Sequence, residues 1–358
     1  VDIRKLSYKE QKNYVTGRWV LTLKRDRNGN FQKCKARWVL RGFQDRQKHE
    51  QQTDSPAASR PGFRMATQVA ASAAWDIFHM DLKTAFLQGE AYDETRNVIC
   101  QVPPEANQPW YMVARMKKPA YGLNDAPRRW WNVVDAQLRS YGCTPTRADR
   151  CTYVLYNESR SSSSSTPLKP GGNSPVEDLA SSSINKALEY LLDPVAGSNA
   201  KGRKPCGIIC LHVDDLYMCG DKEFHSRVIS RLREDFQVGS EDVNDVTFVG
   251  QRIKWVGKPA AAGSYISVDQ KLAVEELEEI KFDKSLKDDV ACTPALHTEY
   301  RSVLGMLNWL QSRTQFQSCY KFSRCASRQS APAMADVRQL NKLVRAVKAA
   351  PVALKFWP

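Results

Sequence analysis

Hydrophobic and polar positions along this chain alternate in patterns that predict short strands and amphipathic helices. The stretch 207–220 contains two apolar runs, Ile208–Leu211 and Leu216–Met218, which meet at the adjacent carboxylates Asp214 and Asp215. Successive side chains on a straight strand point to opposite faces, so two neighbouring Asp residues serve one site only at a tight turn. The pattern therefore predicts two strands folded back on each other with the Asp pair at the tip. The alternative is an ordinary solvent-exposed turn, where Asp is common.

Residues 18–41 form a second predicted hairpin with a strongly basic strand. Its turn is Asn28-Gly29, a pair in which both residues adopt positive φ readily. Period two separates the second strand into a cationic face and an apolar face. The cationic face carries Lys33, Lys35 and Arg37, and the apolar face carries Cys34, Ala36, Trp38 and Leu40. Such a strand suits the binding of phosphates, although a solvated strand face fits the same pattern.

The stretch Trp75–Leu87 predicts a strand that runs into a turn and a helix. Asp81 falls where the strand would end, and Phe86 follows five residues later. A single Asp at this place is more commonly a helix cap than a metal ligand. The Asp214–Asp215 pair, also at strand ends, is what favours the ligand interpretation.

Residues 120–142 have the signals of a complete helix. Asp125 is the predicted N-cap, Pro127 suits the first turn, and Gly142 ends the helix. Helical spacing predicts a buried stripe of Trp130, Val134, Leu138 and Tyr141.

The remaining segments alternate between predicted elements and loops. Residues 63–74 are helical, 158–206 form a Ser-rich flexible insertion with one short helix at 184–192, and Asp221 caps a helix that ends at Phe236. Strands are predicted at 246–255 and 263–268, followed by helices at about 269–282, 299–313 and 335–349.

Composition limits the classes of protein to which this chain can belong. It has 358 residues, a formal net charge of +14 and ten scattered cysteines without paired CxxC spacing. These cysteines favour reduced thiols in an intracellular protein rather than zinc ligands or disulfides. The absence of recognisable targeting signals predicts a cytoplasmic location, with a nuclear location as the alternative. No apolar run reaches the ~20 residues needed to span a bilayer, and no secretory signal is recognisable.

The positive charge is concentrated near the beginning of the sequence. Residues 1–50 hold fourteen Lys and Arg against five Asp and Glu. This bias suggests a polyanionic partner, most simply nucleic acid, while a basic surface without a partner fits the charge equally.

Asp81, Asp214 and Asp215 together suit a two-metal site. Mg²⁺ prefers carboxylate and phosphate oxygens. Two such ions about 4 Å apart can activate an attacking 3′-hydroxyl and stabilise a leaving pyrophosphate. The basic hairpin would supply cations for a triphosphate.

Five motifs in this order, and a sixth segment that resembles the part of the family downstream of the palm, are similar to the reverse transcriptase of copia-type retrotransposons. They are KARWVLRGFQ (35–44), DLKTAFLQGE (81–90), YGLNDAPRRWW (121–131), HVDDL (212–216), FVGQRI (248–253) and TPALHTEYRSVLGMLNWL (293–310). The resemblance covers nearly the whole chain apart from 158–206.

This resemblance implies an α+β, right-hand polymerase fold. The implied parts are fingers with the basic hairpin (1–74), a palm in two parts (75–157 and 207–258) around the insertion 158–206, and a mostly helical thumb or connection (259–358). The implied activity is RNA-directed DNA polymerisation, with an RNA template, a DNA primer, dNTPs and two Mg²⁺ ions, or Mn²⁺ in their place. It implies no membrane partner.

The resemblance also implies roles for particular residues. Asp81, Asp214 and Asp215 would be the catalytic metal ligands, and Phe86 the steric gate against a ribose 2′-hydroxyl. Lys35, Arg37, Tyr121 and Gly122 would bind the nucleotide, with Pro127 in the same motif as the last two. Phe248, Val249 and Gly250 would form the primer grip.

The chain departs from the family pattern in its Ser-rich insertion 158–206 and at three other places. His212 stands where an aromatic residue is usual, Asp125 where Gln is usual, and Gln315–Phe316 near a usual Pro-Asp pair. We interpret His212 as a substituted packing position rather than a ligand.

The departures leave a second hypothesis, a degenerate copy that keeps the fold and nucleic-acid binding without catalysis. No RNase H, integrase or protease segment is recognisable, which favours a fragment of a polyprotein or a domesticated copy. A third hypothesis is a basic RNA-binding protein whose Asp pair is incidental.

Overall fold

The computed structural model describes residues 1–25, 30–157 and 203–358. The predicted Asn28-Gly29 turn, the predicted helix at 184–192 and nearly all of the Ser-rich insertion lie outside the described residues. Contacts within the chain divide it into two compact units. The first contains Val1–Arg25, Phe31–Ala66 and Trp75–Val243, and the second contains Thr67–Ala74 and Asn244–Pro358. The predicted boundaries of fingers, palm and thumb stay predictions.

A six-stranded antiparallel sheet forms the centre of the first unit, in the order β11-β4-β10-β9-β8-β7. The strands are β4 (Asp76–Leu82), β7 (Thr144–Pro145), β8 (Thr152–Tyr156), β9 (Pro205–His212), β10 (Asp215–Gly220) and β11 (Val238–Val243). Most side chains of β9 and β10 are buried. Burial on both faces explains why these strands are continuous apolar runs rather than alternating ones.

Helices cover both faces of this sheet. Helix α3 (Ala126–Ser140) and α4, which passes from Lys222–Phe224 through a π-helical turn at His225–Ile229 to Ser230–Asp235, share a core with Met80, Leu216 and Met218. On the opposite face, Phe63 of α2 (Arg60–Ser72) packs edge-on against Tyr217 with ring centroids 5.0 Å apart. The predicted stripe of α3 is confirmed, since Trp130, Val134, Leu138 and Tyr141 are buried.

Smaller elements complete the first unit. Strands β1 (Tyr14–Val15), β5 (Ile99–Cys100) and β6 (Ala114–Arg115) form a three-stranded sheet, and α1 (Tyr8–Lys12) precedes it. Short 3-10 helices lie at Ile3–Lys5, Gly42–Gln44, Lys48–Glu50, Ala85–Gln88 and Pro104–Ala106.

The predicted basic hairpin is confirmed as an antiparallel pair of β2 (Gly17–Arg25) and β3 (Phe31–Leu40). Its predicted apolar face is only partly buried, because Cys34 and Ala36 are exposed while Leu40 at the base is buried. Within the described residues the two strands pair only with each other, and Leu21, Leu23 and Phe31 in their outer half are exposed.

The second unit combines an antiparallel sheet with a helical core. The sheet contains β12 (Asp245–Phe248), β13 (Gln251–Val256), β14 (Tyr265–Asp269) and β15 (Leu354–Phe356). The helices are α5 (Lys271–Glu275), α6 (Pro294–Gln311), α7 (Cys319–Ala326) and α8 (Met334–Ala349), with a 3-10 turn at Phe316–Ser318. Residues from all four helices, such as Val274, Tyr300, Cys325 and Leu340, share one buried cluster.

Sequence predictions for the second unit need several corrections, and strand β15 had no prediction. The strand predicted at 246–255 is two strands, because Val249 and Gly250 both have positive φ and turn the chain back between β12 and β13. The helix predicted at 269–282 ends at Glu275, and helix α7 had no prediction.

The α+β class is confirmed by these segregated sheets and helices. No helix in the described ranges combines the length and apolar character that crossing a bilayer requires.

Candidate active site

Three carboxylates converge at one end of the six-stranded sheet. Asp81 lies near the end of β4, and Asp215 begins β10 directly opposite it in the antiparallel register. Opposed residues on antiparallel strands project to the same face with their Cβ atoms close together. Asp214 precedes Asp215 in the turn from β9. One carboxylate oxygen from each of the three lies within 4.8 Å of the others, and all three side chains are half-buried.

The turn that carries Asp214 has an unusual backbone. His212 pairs with Asp215, so Val213 and Asp214 are the two central residues of the turn. Val213 has φ +60°, while Asp214 has no positive φ. A positive φ at the first central position is normally supplied by Gly. For a β-branched residue it costs about 1–3 kcal/mol.

Two hydrogen bonds hold this turn. The indole Nε1 of Trp130 donates to the carbonyl oxygen of Val213 at 2.7 Å. The backbone N–H of Leu82, next to Asp81, donates to the carbonyl oxygen of Asp214 at 2.9 Å. The second bond connects the turn to β4, the strand that carries Asp81. The backbone therefore links the positions of Asp81 and Asp214.

The electrostatics of the triad favour a bound cation. Burial raises the pKa of Asp214 above its ordinary value, and the neighbouring charges of Asp215 and Asp81 raise it further. The positive charge of Lys35 lowers this pKa but does not offset the increase. Three adjacent carboxylates whose ionisation opposes one another form a set of hard oxygen donors, which fits a divalent metal ion.

An aromatic and basic wall stands beside the triad. The rings of Phe86 and Tyr121 meet edge-to-face at 5.1 Å, and the Arg37 guanidinium lies 5.8 Å from the centre of the Tyr121 ring. Burial raises the pKa of Tyr121, the nearby Asp214 raises it further, and Arg37 lowers it. Arg37 and Lys35 are on the same face of β3, both half-buried. The structure therefore brings the residues predicted to bind nucleotide together with the carboxylates.

Gly122 is required by the close approach of two backbones. Tyr121 and Gly122 accept hydrogen bonds from the N–H groups of Leu40 (2.8 Å) and Gly42 (3.1 Å). Gly122 has φ +95°, and a Cβ there would lie 2.0 Å from the carbonyl oxygen of Leu40. Only glycine fits both conditions. This contact docks the predicted nucleotide-binding loop on the end of the basic hairpin.

Comparisons with known proteins agree with this geometry. The model of the family described as reverse transcriptase (RNA-dependent DNA polymerase) matches residues 4–161. The matched residues 4–161, the reverse transcriptase region, are therefore similar to this family. The matched segment of this reverse transcriptase region includes Asp81, whereas Asp214 and Asp215 lie beyond it and are joined to it by strand pairing.

Plant retrotransposon proteins are similar to this reverse transcriptase region. The retrovirus-related Pol polyprotein from transposon RE2 of Arabidopsis thaliana is 33% identical over 142 residues, 38% of this chain and 10% of that protein. The Pol polyprotein from transposon TNT 1-94 of Nicotiana tabacum is 31% identical over 140 residues, again 38% and 10%. The chain thus spans about a tenth of the length of the curated relatives it matches.

A solved structure is also similar. A foamy viral protease–reverse transcriptase in complex with double-stranded DNA aligns with 94% of this chain and 44% of that one, at 12% identity and a TM-score of 0.48.

The predicted N-cap of α3 is confirmed in position but not in its bonding. Asp125 occupies the N-cap position of α3 but makes no side-chain capping bond. Its carboxylate instead accepts hydrogen bonds from Arg96 Nε (3.2 Å) and Arg129 Nε (3.1 Å). Arg96 also donates to Asp45 at 2.5 Å, and all three members of this Asp45–Arg96–Asp125 network are buried. A fully buried cation competes more strongly for the carboxylate than the helix N-terminus does.

Three residues near the triad had no functional prediction. His79 Nε2 lies 3.3 Å from Asp215 Oδ1, and Trp130 was predicted only as core. Gly239 lies at a register shift where β11 pairs with β4, and a Cβ there would be 2.4 Å from Asp81 Oδ2. A glycine inside a strand is a recognisable signal of a bulge or close approach, so Gly239 could have been found from the sequence. The other two lacked such a signal.

The predicted primer-grip residues belong to the second unit. Phe248 is buried at the end of β12, and Val249 and Gly250 form the turn to β13. A Cβ on Gly250 would lie 3.3 Å from the Trp309 ring. The role of these three residues stays a prediction.

Proposed function

We propose that this chain is an RNA-directed DNA polymerase that extends a DNA primer on an RNA template with dNTPs. The observation that carries the proposal is the convergence of Asp81, Asp214 and Asp215, with carboxylate oxygens within 4.8 Å of one another, inside or adjoining a reverse transcriptase region. A purely structural turn gains nothing from three adjacent carboxylates. Burial and the neighbouring charges disfavour the ionised form of Asp214 and so raise its pKa.

Asp81, Asp214 and Asp215 would hold two Mg²⁺ ions, or Mn²⁺ in their place. When bound, such ions lower the pKa of a coordinated hydroxyl and neutralise charge on phosphate oxygens. The three carboxylates would position these charges, and their half-buried setting would strengthen each interaction relative to water.

The wall beside the triad would bind the nucleotide. Lys35 and Arg37 offer cations on one strand face toward a triphosphate, and Tyr121 with Gly122 provides a surface docked on the same strand. Phe86, fixed by its edge-to-face contact with Tyr121, would exclude a ribose 2′-hydroxyl. Phe248, Val249 and Gly250 would contact the primer.

The nucleic-acid partners follow from charge. The chain carries a net charge of +14, and its excess of Lys and Arg lies mostly within residues 1–50. A basic surface of this size supports binding of template and primer phosphates with a steep dependence on salt.

Primer extension by the full 358-residue chain tests the proposal. A labelled DNA primer on an RNA template is extended with dNTPs and Mg²⁺, with and without chelator. We expect extension that requires the metal, and a loss on the order of 1000-fold in Asp214→Asn because one metal ligand is removed. Template binding by Asp214→Asn, measured by fluorescence anisotropy, should be retained.

The matched control is Asp221→Asn at the other end of β10. Asp221 caps α4 by accepting from Phe224 N–H, a role that Asn also fills. This variant should extend the primer within about twofold of the parent chain. Binding of template–primer without extension under either metal would overturn the proposal in favour of a non-catalytic remnant.

A further inference from the structure

We propose that Trp130 is a positioning residue for metal binding, whose indole N–H holds the Val213–Asp214 turn in the shape that brings Asp214 to Asp81 and Asp215. The inference depends on the proposed function only in taking metal binding as the role of the three carboxylates. It concerns a residue whose buried ring would otherwise be explained entirely by core packing.

The first step is the conformation of Val213. Its φ of +60° is one that valine avoids, because the branched side chain collides with the backbone. Left alone, this residue would rotate toward negative φ. That rotation would reorient the following peptide and therefore the Asp214 side chain. Something in the fold must hold the turn in its present shape.

The second step is the pair of anchors on the turn. The carbonyl of Val213 accepts from Trp130 Nε1 at 2.7 Å, and the carbonyl of Asp214 accepts from Leu82 N–H at 2.9 Å. Both donors belong to residues with only 1% of their surface exposed. Rotation of either peptide would leave a buried donor without its acceptor, which is costly. The Leu82 bond joins two backbone groups, so the Trp130 bond is the contribution of a side chain.

The third step is the rigidity of the donor. Trp130 lies in the first half of α3 and packs edge-on against Phe236, with ring centroids 5.7 Å apart. A ring fixed by a helix and by a neighbouring aromatic aims its N–H in one direction. The adjacent Trp131 provides the contrast, because it is also buried in α3 but makes no hydrogen bond to the turn within the described residues.

Binding of Mn²⁺ alone, followed by electron paramagnetic resonance on the full chain, is the primary test. Loss of a group that orients metal ligands typically costs 10-fold to 100-fold in metal affinity, so Trp130→Phe should weaken binding by about that factor. Trp131→Phe makes the same chemical change one residue away and should stay within about twofold. In primer extension, Trp130→Phe should lower kcat and raise the Mg²⁺ requirement while leaving KM for dNTP nearly unchanged.

Rescue separates positioning from packing. Glycine adopts positive φ without a steric penalty, so a turn with Val213→Gly keeps its shape without the indole anchor. The double variant Trp130→Phe, Val213→Gly should therefore recover Mn²⁺ affinity to within about threefold of the parent. Equal losses in Trp130→Phe and Trp131→Phe, or no recovery in the double variant, would overturn the inference.

Thermal unfolding without metal makes the inference testable apart from activity. If Trp130 holds Val213 under strain, Val213→Gly should raise Tm more in the parent chain than in Trp130→Phe, where the strain has relaxed. Equal increments contradict the inference even if the chain polymerises. A larger increase in Tm in the parent chain than in Trp130→Phe supports the inference. If the chain also extends no primer under any metal, the inference stands while the proposed function fails.

A second substitution covers poor folding of Trp130→Phe. Benzothienylalanine at position 130 replaces the indole N–H by sulfur and keeps the ring shape. It should weaken Mn²⁺ binding as Trp130→Phe does, and unchanged Mn²⁺ affinity would refute the role of the N–H.

Discussion

Two carboxylate clusters in the first unit differ in what balances their charge. In the Asp45–Arg96–Asp125 network, a buried guanidinium donates to both carboxylates, with Arg129 adding a second donor to Asp125. In the triad of Asp81, Asp214 and Asp215, three carboxylates face one another, and His79 Nε2 lies 3.3 Å from Asp215 Oδ1. The first cluster is deeply buried and paired, while the second is half-buried and crowded with like charges.

The pKa shifts of the two clusters point in opposite directions. Burial alone would raise the pKa of Asp45, but the hydrogen bonds and charge of Arg96 bring it below its ordinary value. Burial also raises the pKa of Asp214, and there the neighbouring carboxylates add to the effect. Burial raises the pKa of the carboxylate in both clusters, but Arg96 completes the charge balance of the first, whereas the second keeps an incomplete charge set. The incomplete set is the one suited to bind something.

The largest expected effect comes from breaking the paired cluster. Arg96→Met would leave two buried carboxylates without their shared cation, and we expect the free energy of unfolding to fall by about 3–5 kcal/mol. Urea unfolding followed by circular dichroism measures this change.

Arg139→Met is the matched control for that variant. The exposed Arg139 pairs at 2.8 Å with Asp135, which also accepts a hydrogen bond from Tyr153, so loss of Arg139 should cost only about 0.5 kcal/mol. Similar costs for the two variants would show that burial does not distinguish the pairs.

A smaller effect is expected from disturbing the crowded cluster. Gly239→Ala would place a Cβ 2.4 Å from Asp81 Oδ2, so the carboxylate must move away from its partners. We expect Mn²⁺ affinity to fall about tenfold, while stability changes by about 1 kcal/mol or less. Gly305→Ala, where a Cβ would meet nothing within 4 Å in helix α6, should leave Mn²⁺ affinity unchanged. Unaltered binding in Gly239→Ala would mean that Asp81 is not held by this contact.

The smallest expected effect is the pH dependence that sharpens the comparison. Because the folded pKa of Asp45 is below 3.8, its stabilising contribution is complete above that value and is lost as pH falls through the folded pKa. The folded pKa of Asp214 is above 3.8. The contribution of this residue to the free energy of unfolding is therefore complete below that value and is lost as pH rises through the folded pKa.

Unfolding measured at about pH 6 and about pH 3 without metal checks both signs. Asp45→Asn should be more destabilising at the higher pH. Asp214→Asn should raise stability at the higher pH, and this gain should shrink at the lower one. A gain for Asp214→Asn that is independent of pH would contradict the raised pKa.

Sequence reasoning succeeded where the chemistry depends on residues that end strands. Apolar runs around Asp214 and Asp215 require a turn there, and Asp81 ends another apolar strand, so a meeting of the three followed from patterns alone. The stripe on α3 was predictable because burial imposes a period on the sequence. The α+β class came instead from the resemblance of the motifs to copia-type reverse transcriptases.

What escaped prediction depends on distant partners. Nothing near Asp125 indicates that Arg96, 29 residues earlier, takes its carboxylate away from the helix N-terminus. The strain at Val213 and its anchor on Trp130 are separated by 83 residues, and the valine itself suggests an extended strand. Local propensity cannot report a conformation that tertiary contacts impose against it.

The hydrogen bond from Leu82 to Asp214 makes one amide a reporter of the site. β4 and β10 are interior strands of the six-stranded sheet, so their amides should exchange with deuterium only through large openings. The Leu82 amide is different in one respect, because its acceptor is the turn rather than a strand residue. If the turn opens independently, this amide exchanges faster than its neighbours in β4. Its exchange rate therefore measures how often the three carboxylates lose their arrangement, without any substrate present.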